Sequence, residues 1–133
     1  MINTTVGKVV DAYAALSQLT NTPVDGDIAI TISLNMGRFK ETVEKFDERR
    51  KPLIDELVVL NPDGTVKEFK DRIKWDQETK RMTDVQIEIS PVMFDLNRLK
   101  TIHGVTATQI TMIEWLINFP KEEKSNDSVK EVV

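Results

Sequence analysis

The sequence predicts a mainly α (α+β) fold: a helical domain with a long central helix and a small antiparallel β element. Two observations carry the helices and one the strands. Apolar residues recur at spacings of three and four over residues 5–19, 28–57 and 106–119, the rhythm that stacks side chains on one helix face. Val85, Ile87 and Ile89 instead alternate with Gln86 and Glu88, the period of a half-buried strand.

The first helix is expected from about Thr5 to Leu19. Val6, Val9, Val10, Tyr13, Leu16 and Leu19 form its apolar stripe. Thr4 or Thr5 caps it, because a hydroxyl oxygen can accept an otherwise unpaired first-turn amide hydrogen. Turn formers and Pro23 then break the chain between Thr20 and Asp27.

The central helix follows from an Asp27 cap, with Ile28, Ile32, Met36, Phe39, Val43, Phe46, Leu53 and Leu57 in register. Ile28, Ile30, Ile32 and Leu34 also alternate strictly, so a strand is the competing reading of residues 28–34. From Asn35 onward only the helix fits. Its outer face mixes Glu41, Glu44, Asp47 and Glu48 with Lys40, Lys45, Arg49 and Arg50, and Glu41–Lys45 has the favourable four-residue spacing. Pro52 cannot donate to the residue four back, so a kink or a restart is expected near Lys51.

Asn61-Pro62-Asp63-Gly64 has the residue preferences of a type I turn at each position. Its flanks, Val58–Leu60 and Thr65–Val66, either pair as a short hairpin or join two helices. A charged helix is expected from about Glu68 to Asp84, with a weak apolar face of Phe69, Ile73, Trp75 and Met82. The strand at 85–89 ends at Ser90-Pro91, and Val92 to Ile102 is a mixed, partly helical stretch. Thr106 and Gln109 have capping-box spacing, with Val105 and Ile110 placed as a hydrophobic staple, so a last helix should run to Phe119 before Pro120.

At 133 residues the chain suits one domain, read as 1–120, with 121–133 as a charged flexible tail. There is no cysteine, which removes disulfides and thiolate chemistry together. The net charge of −4 arises from charges of both signs without a basic stripe, so nucleic acid is disfavoured as a partner. No apolar run approaches the ~18 residues of a membrane span, and no signal-peptide core opens the chain, so no membrane association and a cytosolic location are expected.

Little in the sequence points to catalysis. His103 is the single histidine, read as a loop residue before Gly104, since no nucleophile or orienting acid is marked beside it. The turn at Asn61 superficially matches the start of a calcium loop, but its twelfth position is Arg72 where glutamate should close it. No Gly-rich phosphate loop, dinucleotide fingerprint or paired metal-binding histidines occur. The expectation is a non-enzymatic protein with no cofactor and no metal. The last helix is the candidate interface. Its apolar residues cover more than one face, so Met112, Trp115, Leu116 and Phe119 are expected to meet a protein partner. A helix wholly internal to its own domain is the alternative.

The order of elements carries a resemblance. A leucine-containing first helix and a proline-broken turn precede a long charged helix with Phe46-Asp47-Glu48-Arg49-Arg50 and Leu53. The Asp63-Gly64 turn, Val85-Gln86-Ile87-Glu88-Ile89 and the Thr106-to-Ile117 helix follow. This layout, over residues 5–118, resembles small accessory proteins of tailed bacteriophages. The resemblance implies a structural or assembly-related accessory, found in the virion or host cytoplasm, that binds itself as a homo-oligomer or binds another phage or host protein. The alternative it implies is a small inhibitor of a host defence or replication protein. It carries over no functional residues.

Overall fold

The chain folds around an antiparallel-neighbour pair of helices, α1 (Val6–Leu19) and α2 (Gly26–Leu57), in a computed structural model that describes residues 1–119. The expected tail at 121–133 lies outside the described residues. The fold is mainly α (α+β), with a long central helix and small two-stranded sheets.

α1 begins where Thr5 turns extended and its hydroxyl accepts the Lys8 amide hydrogen at 3.3 Å. The helix buries Val9, Leu16 and Leu19 from the expected stripe, together with Ala12 and Ala15. Ahead of α1 lies a strand that the sequence reading did not include, β1 (Ile2–Thr5).

α2 resolves the ambiguity at 28–34 in favour of helix. Ile28, Ile32, Asn35 and Phe39 fall on its buried face, while Ile30 and Leu34 point to solvent, 62% and 46% exposed. A strand would have buried Ile28, Ile30, Ile32 and Leu34 together. α2 starts one residue after Asp25 rather than after Asp27. It also runs through Pro52 without restarting. Pro52 and Glu48, the residue whose carbonyl loses its intrahelical donor, are both exposed, so water can serve that carbonyl.

The hairpin reading of the central turn holds. β2 (Val58–Leu60) pairs antiparallel with β3 (Val66–Phe69), with a register shift between Val59 and Leu60. Gly64 N–H donates to Asn61 O at 2.9 Å, and Gly64 sits at φ +89°, where a side chain would be strained. Asp63 accepts both the amide and the hydroxyl of Thr65, which holds its carboxyl below the ordinary range. Strand pairing therefore takes Glu68 and Phe69 from the expected helix. α3 spans Arg72–Thr83 and is capped by Asp71, whose side chain accepts from Lys74 N.

β4 (Gln86–Ile89) is the expected strand. It pairs antiparallel with β1, Ile2 opposite Ile89 and Thr5 opposite Gln86, and Val6 N–H to Val85 O extends the ladder. The stretch after it contains β5 (Phe94–Asp95) and a single helical turn, α4 (Leu96–Leu99).

The last helix is shorter than expected. α5 covers Ala107–Ile113, opened by the Thr106/Gln109 capping box with both hydrogen bonds formed, at 3.1 and 2.9 Å. A 3₁₀ turn then occupies Glu114–Leu116, and Ile117–Asn118 forms β6, parallel to β5 with Ile117 opposite Phe94. Ile113, Leu116 and Ile117 are all enclosed. Pairing of the Ile117 backbone with Phe94 draws the chain out of the helix before the rhythm of its side chains ends.

The core gathers α1, the first half of α2, α5 and the segment 94–117. Each large apolar side chain enclosed there contributes roughly 1.5–3 kcal/mol. Two polar residues are buried among the described residues, Thr4 on β1 and Asn35 on α2; Asn35 is fully enclosed and bonds both backbone groups of Val92, at 2.8 Å each. Beyond Phe39, α2 encloses no further residue until Leu57.

Candidate functional site

α2 outruns its neighbour, and that overhang creates the site. At 32 residues it is about 48 Å long, against about 21 Å for the 14 residues of α1. Its apolar stripe nevertheless continues past the core through Phe46 and Leu53. α3 comes alongside this second half but encloses none of its own side chains. Between α2, α3 and the β1/β4 sheet remains a groove of about 810 Å³.

The groove has an apolar floor and a charged rim. Phe46, Leu53 and Pro52 come from α2, Met82 from α3, and Val85 and Ile87 from β4 and the residue before it. Glu41, Lys45 and Arg49 line one side, Glu78 and Glu88 the other. Glu41 and Lys45 form the expected pair at 3.1 Å, both exposed, an interaction of little weight in water. Arg49 forms no ion pair among the described residues. A smaller depression of about 490 Å³ lies beyond Phe46, between α1 and the end of α3. There Gly7 meets Thr83 so closely that an added Cβ would stand 2.9 Å from the Thr83 Cβ. Gly7 is thus a contact residue, not a weak spot in a helix.

The groove can hold a mixed apolar and charged segment; its carboxylates are spread along the rim. The groups with clearly shifted protonation lie elsewhere. Arg98 on α4 donates to Asp27 through two nitrogens at 2.8 Å and to Asp25 at 2.8 Å, pinning α4 to the start of α2. That bonding holds Asp27 below the ordinary carboxylate range and raises Arg98 further above its usual value. Lys74 is raised by its hydrogen bond to Glu56 at 2.9 Å, which ties α3 to the end of α2. Among the described residues no cluster of three or more metal-ligating side chains occurs, and no helix is long and apolar enough to cross a membrane. His103 is exposed in the loop before Gly104, itself at φ +86°.

The four expected interface residues do not share one environment. Leu116 is completely enclosed and lies in the core with Ile113, not on a surface, as the internal reading of this helix has it. Trp115 is half-buried with its ring 5.7 Å from that of Phe39, and its buried indole N–H has no acceptor among the described residues. Met112 packs partly against the core. Only Phe119 is open, at 51% exposure. The groove was missed because its residues are spread over four elements. The available signal was an apolar stripe on α2 longer than any helix that could cover it.

No family model matches the chain, and no curated protein or solved structure matches it.

Proposed function

We propose that this chain is a phage accessory protein that works by protein–protein contact, seating an apolar segment of another phage or host protein in the groove of α2, α3 and β4. The observation that carries the reading is the groove itself: a solvent-facing apolar floor from Phe46, Leu53, Met82 and Ile87 beneath a rim bearing both signs of charge. Such a surface suits the apolar face of an amphipathic helix, whose anchors every three or four residues enter the floor while its flanks meet the rim. Arg49 offers a cation to an acidic residue on that partner. The layout resemblance supports the phage assignment and a structural or assembly role in the host cytoplasm or virion.

Photo-crosslinking at the groove tests this reading. A photoreactive residue replacing Leu53 in the phage-infected host should give one dominant adduct, identified by mass spectrometry. Adding Phe46→Glu should remove it while circular dichroism remains unchanged. The same probe at exposed Lys67 on β3 should give none. A virion-assembly protein in the adduct supports the structural role, and a host defence or replication protein supports inhibition. Equal labelling from the two positions refutes the groove as the docking site.

A further inference from the structure

The contacts that frame the groove fix where each charge on its rim stands. Val92 is bonded to Asn35 and the Ser90 carbonyl to Arg38, so the far end of β4 lies beside the middle of α2. Lys74 is bonded to Glu56, and Thr83 meets Gly7 at the start of α1, so α3 runs back along α2 from its last turns. Both elements therefore run opposite to α2. Glu88, two residues before Ser90, stands at the Glu41 end of the groove. Glu78, four residues after Lys74, stands toward the end formed by Pro52 and Leu53.

Most of these charges are already matched. Glu41 pairs with Lys45 at 3.1 Å, and Glu78 lies 3.8 Å from Arg81. Two remain: Glu88 and Arg49 both line the groove, are both exposed, and form no ion pair among the described residues. They stand at different levels, Glu88 beside Glu41 and Arg49 farther along α2. Glu41 and Arg49 are eight residues apart, about 12 Å along the helix axis. The groove thus has an unmatched acid at one end and an unmatched base about two turns on.

We propose that the occupant is an amphipathic helix carrying an acidic residue and, about two turns later, a basic one, and that it lies antiparallel to α2 with the acid on Arg49 and the base on Glu88. This rests on the reading of the groove as the seat of a partner helix, and adds that helix's charge order and direction. The order follows from the partner's own dipole, which favours acids near the first turn of a helix and bases near the last. A helix laid parallel to α2 would need its base first and its acid last, the order that dipole opposes. Exposed rim pairs add little affinity, but they select register and direction. The apolar floor of Phe46, Leu53, Met82 and Ile87 supplies the holding surface.

The probe is a synthetic peptide of about 15 residues with blocked ends. It carries leucines at every third or fourth position of an Ala/Gln helix, one Glu in its first turn and one Lys about two turns later. Fluorescence anisotropy at low salt should show binding to the full chain, lost on Phe46→Glu. Arg49→Glu or Glu88→Lys should each weaken it roughly fivefold, and high salt should shrink that loss. Both positions are exposed, and circular dichroism checks that the fold is kept. A nitroxide on the peptide's N-terminus reads direction by broadening nearby amide signals. Leu53 and Ile54 should broaden more than Glu41 and Thr42, and the Arg49→Glu, Glu88→Lys double variant should reverse that order. A peptide that does not bind, or binds regardless of Phe46→Glu, overturns the groove reading and the proposal together. Binding that needs Phe46 but ignores both charge reversals, or keeps its direction in the double variant, overturns the proposal alone.

Discussion

Asn35→Ala tests how far the core depends on its fully enclosed polar side chain. The Asn35 side chain donates to Val92 O and accepts from Val92 N–H, each at 2.8 Å, joining α2 to the segment that leads into β5. Alanine removes both bonds and leaves two partly buried backbone groups without partners. Each orphaned group costs about 1–3 kcal/mol, and water reaching the 90–93 segment lowers that somewhat. A loss of about 2–4 kcal/mol follows, a large share of the roughly 5–15 kcal/mol typical of a domain. Urea titration followed by circular dichroism reads it as a fall in midpoint at constant slope. Asn35→Asp sharpens the test. The carboxylate still accepts from Val92 N–H but faces Val92 O with no proton to give. Burial and that carbonyl raise the carboxyl's folded pKa above its unfolded value. The variant should therefore be most stable below the unfolded pKa and lose stability as pH rises through the folded one. An Asn35→Ala variant within 1 kcal/mol of the parent, or an Asn35→Asp variant insensitive to pH, would refute the argument that this amide holds the 90–93 segment to the core.

Four further outcomes follow from the same geometry. Gly7→Ala should destabilise by about 1–2 kcal/mol despite alanine's better helix propensity, because its Cβ would lie 2.9 Å from Thr83 Cβ and 3.2 Å from Thr83 O. Gly37→Ala, with open space around it, should stabilise the dilute chain by up to about 1 kcal/mol, and thermal melts compare the two. The Asp27–Arg98 coupling, read by a double-mutant cycle with Asp27→Asn and Arg98→Gln, should be present above the ordinary Asp value of 3.8 and fade as pH falls below it. A depressed carboxyl stabilises only while ionised in the fold. Hydrogen exchange should protect α2 amides at 32–39 more strongly than those at 43–53, since the latter stretch encloses no side chain.

The helices were legible because their signals are local. The apolar rhythm located α1 and α2, and the capping box placed the start of α5 at Thr106, since each depends on residues within a few positions of one another. What stayed hidden depends on pairings across the chain. β1 is four residues whose partner, β4, lies more than eighty positions away, and nothing within Ile2–Thr5 announces it. The shortening of α5 has the same cause: Ile117 leaves the helix to meet Phe94. Asn35 lies in the apolar stripe by position, but only the fold supplies the Val92 backbone it serves. Leu116 shares a helix face with Met112 four residues back and with Ile113 three back, and only the tertiary fold shows that the Ile113 side is the one covered.

The groove and the exposed Ile30 and Leu34 both belong to lengths of α2 that no neighbour covers. A helix of 32 residues cannot be covered by a 14-residue neighbour, and α2 manages its uncovered lengths in two ways. Toward the core side, beyond Phe39, the apolar stripe continues with only α3 and the short sheet beside it, and the deficit becomes a groove. On the outward side of its first half the helix departs from the charged pattern of its second half and carries Ile30, Leu34 and a row of small residues. Neither feature helps an isolated monomer: leaving Phe46 half-covered forgoes burial, and exposing Ile30 and Leu34 adds apolar surface to water. The cost to the lone chain of the half-covered stripe is the physical support for the proposal that another protein seats in the groove.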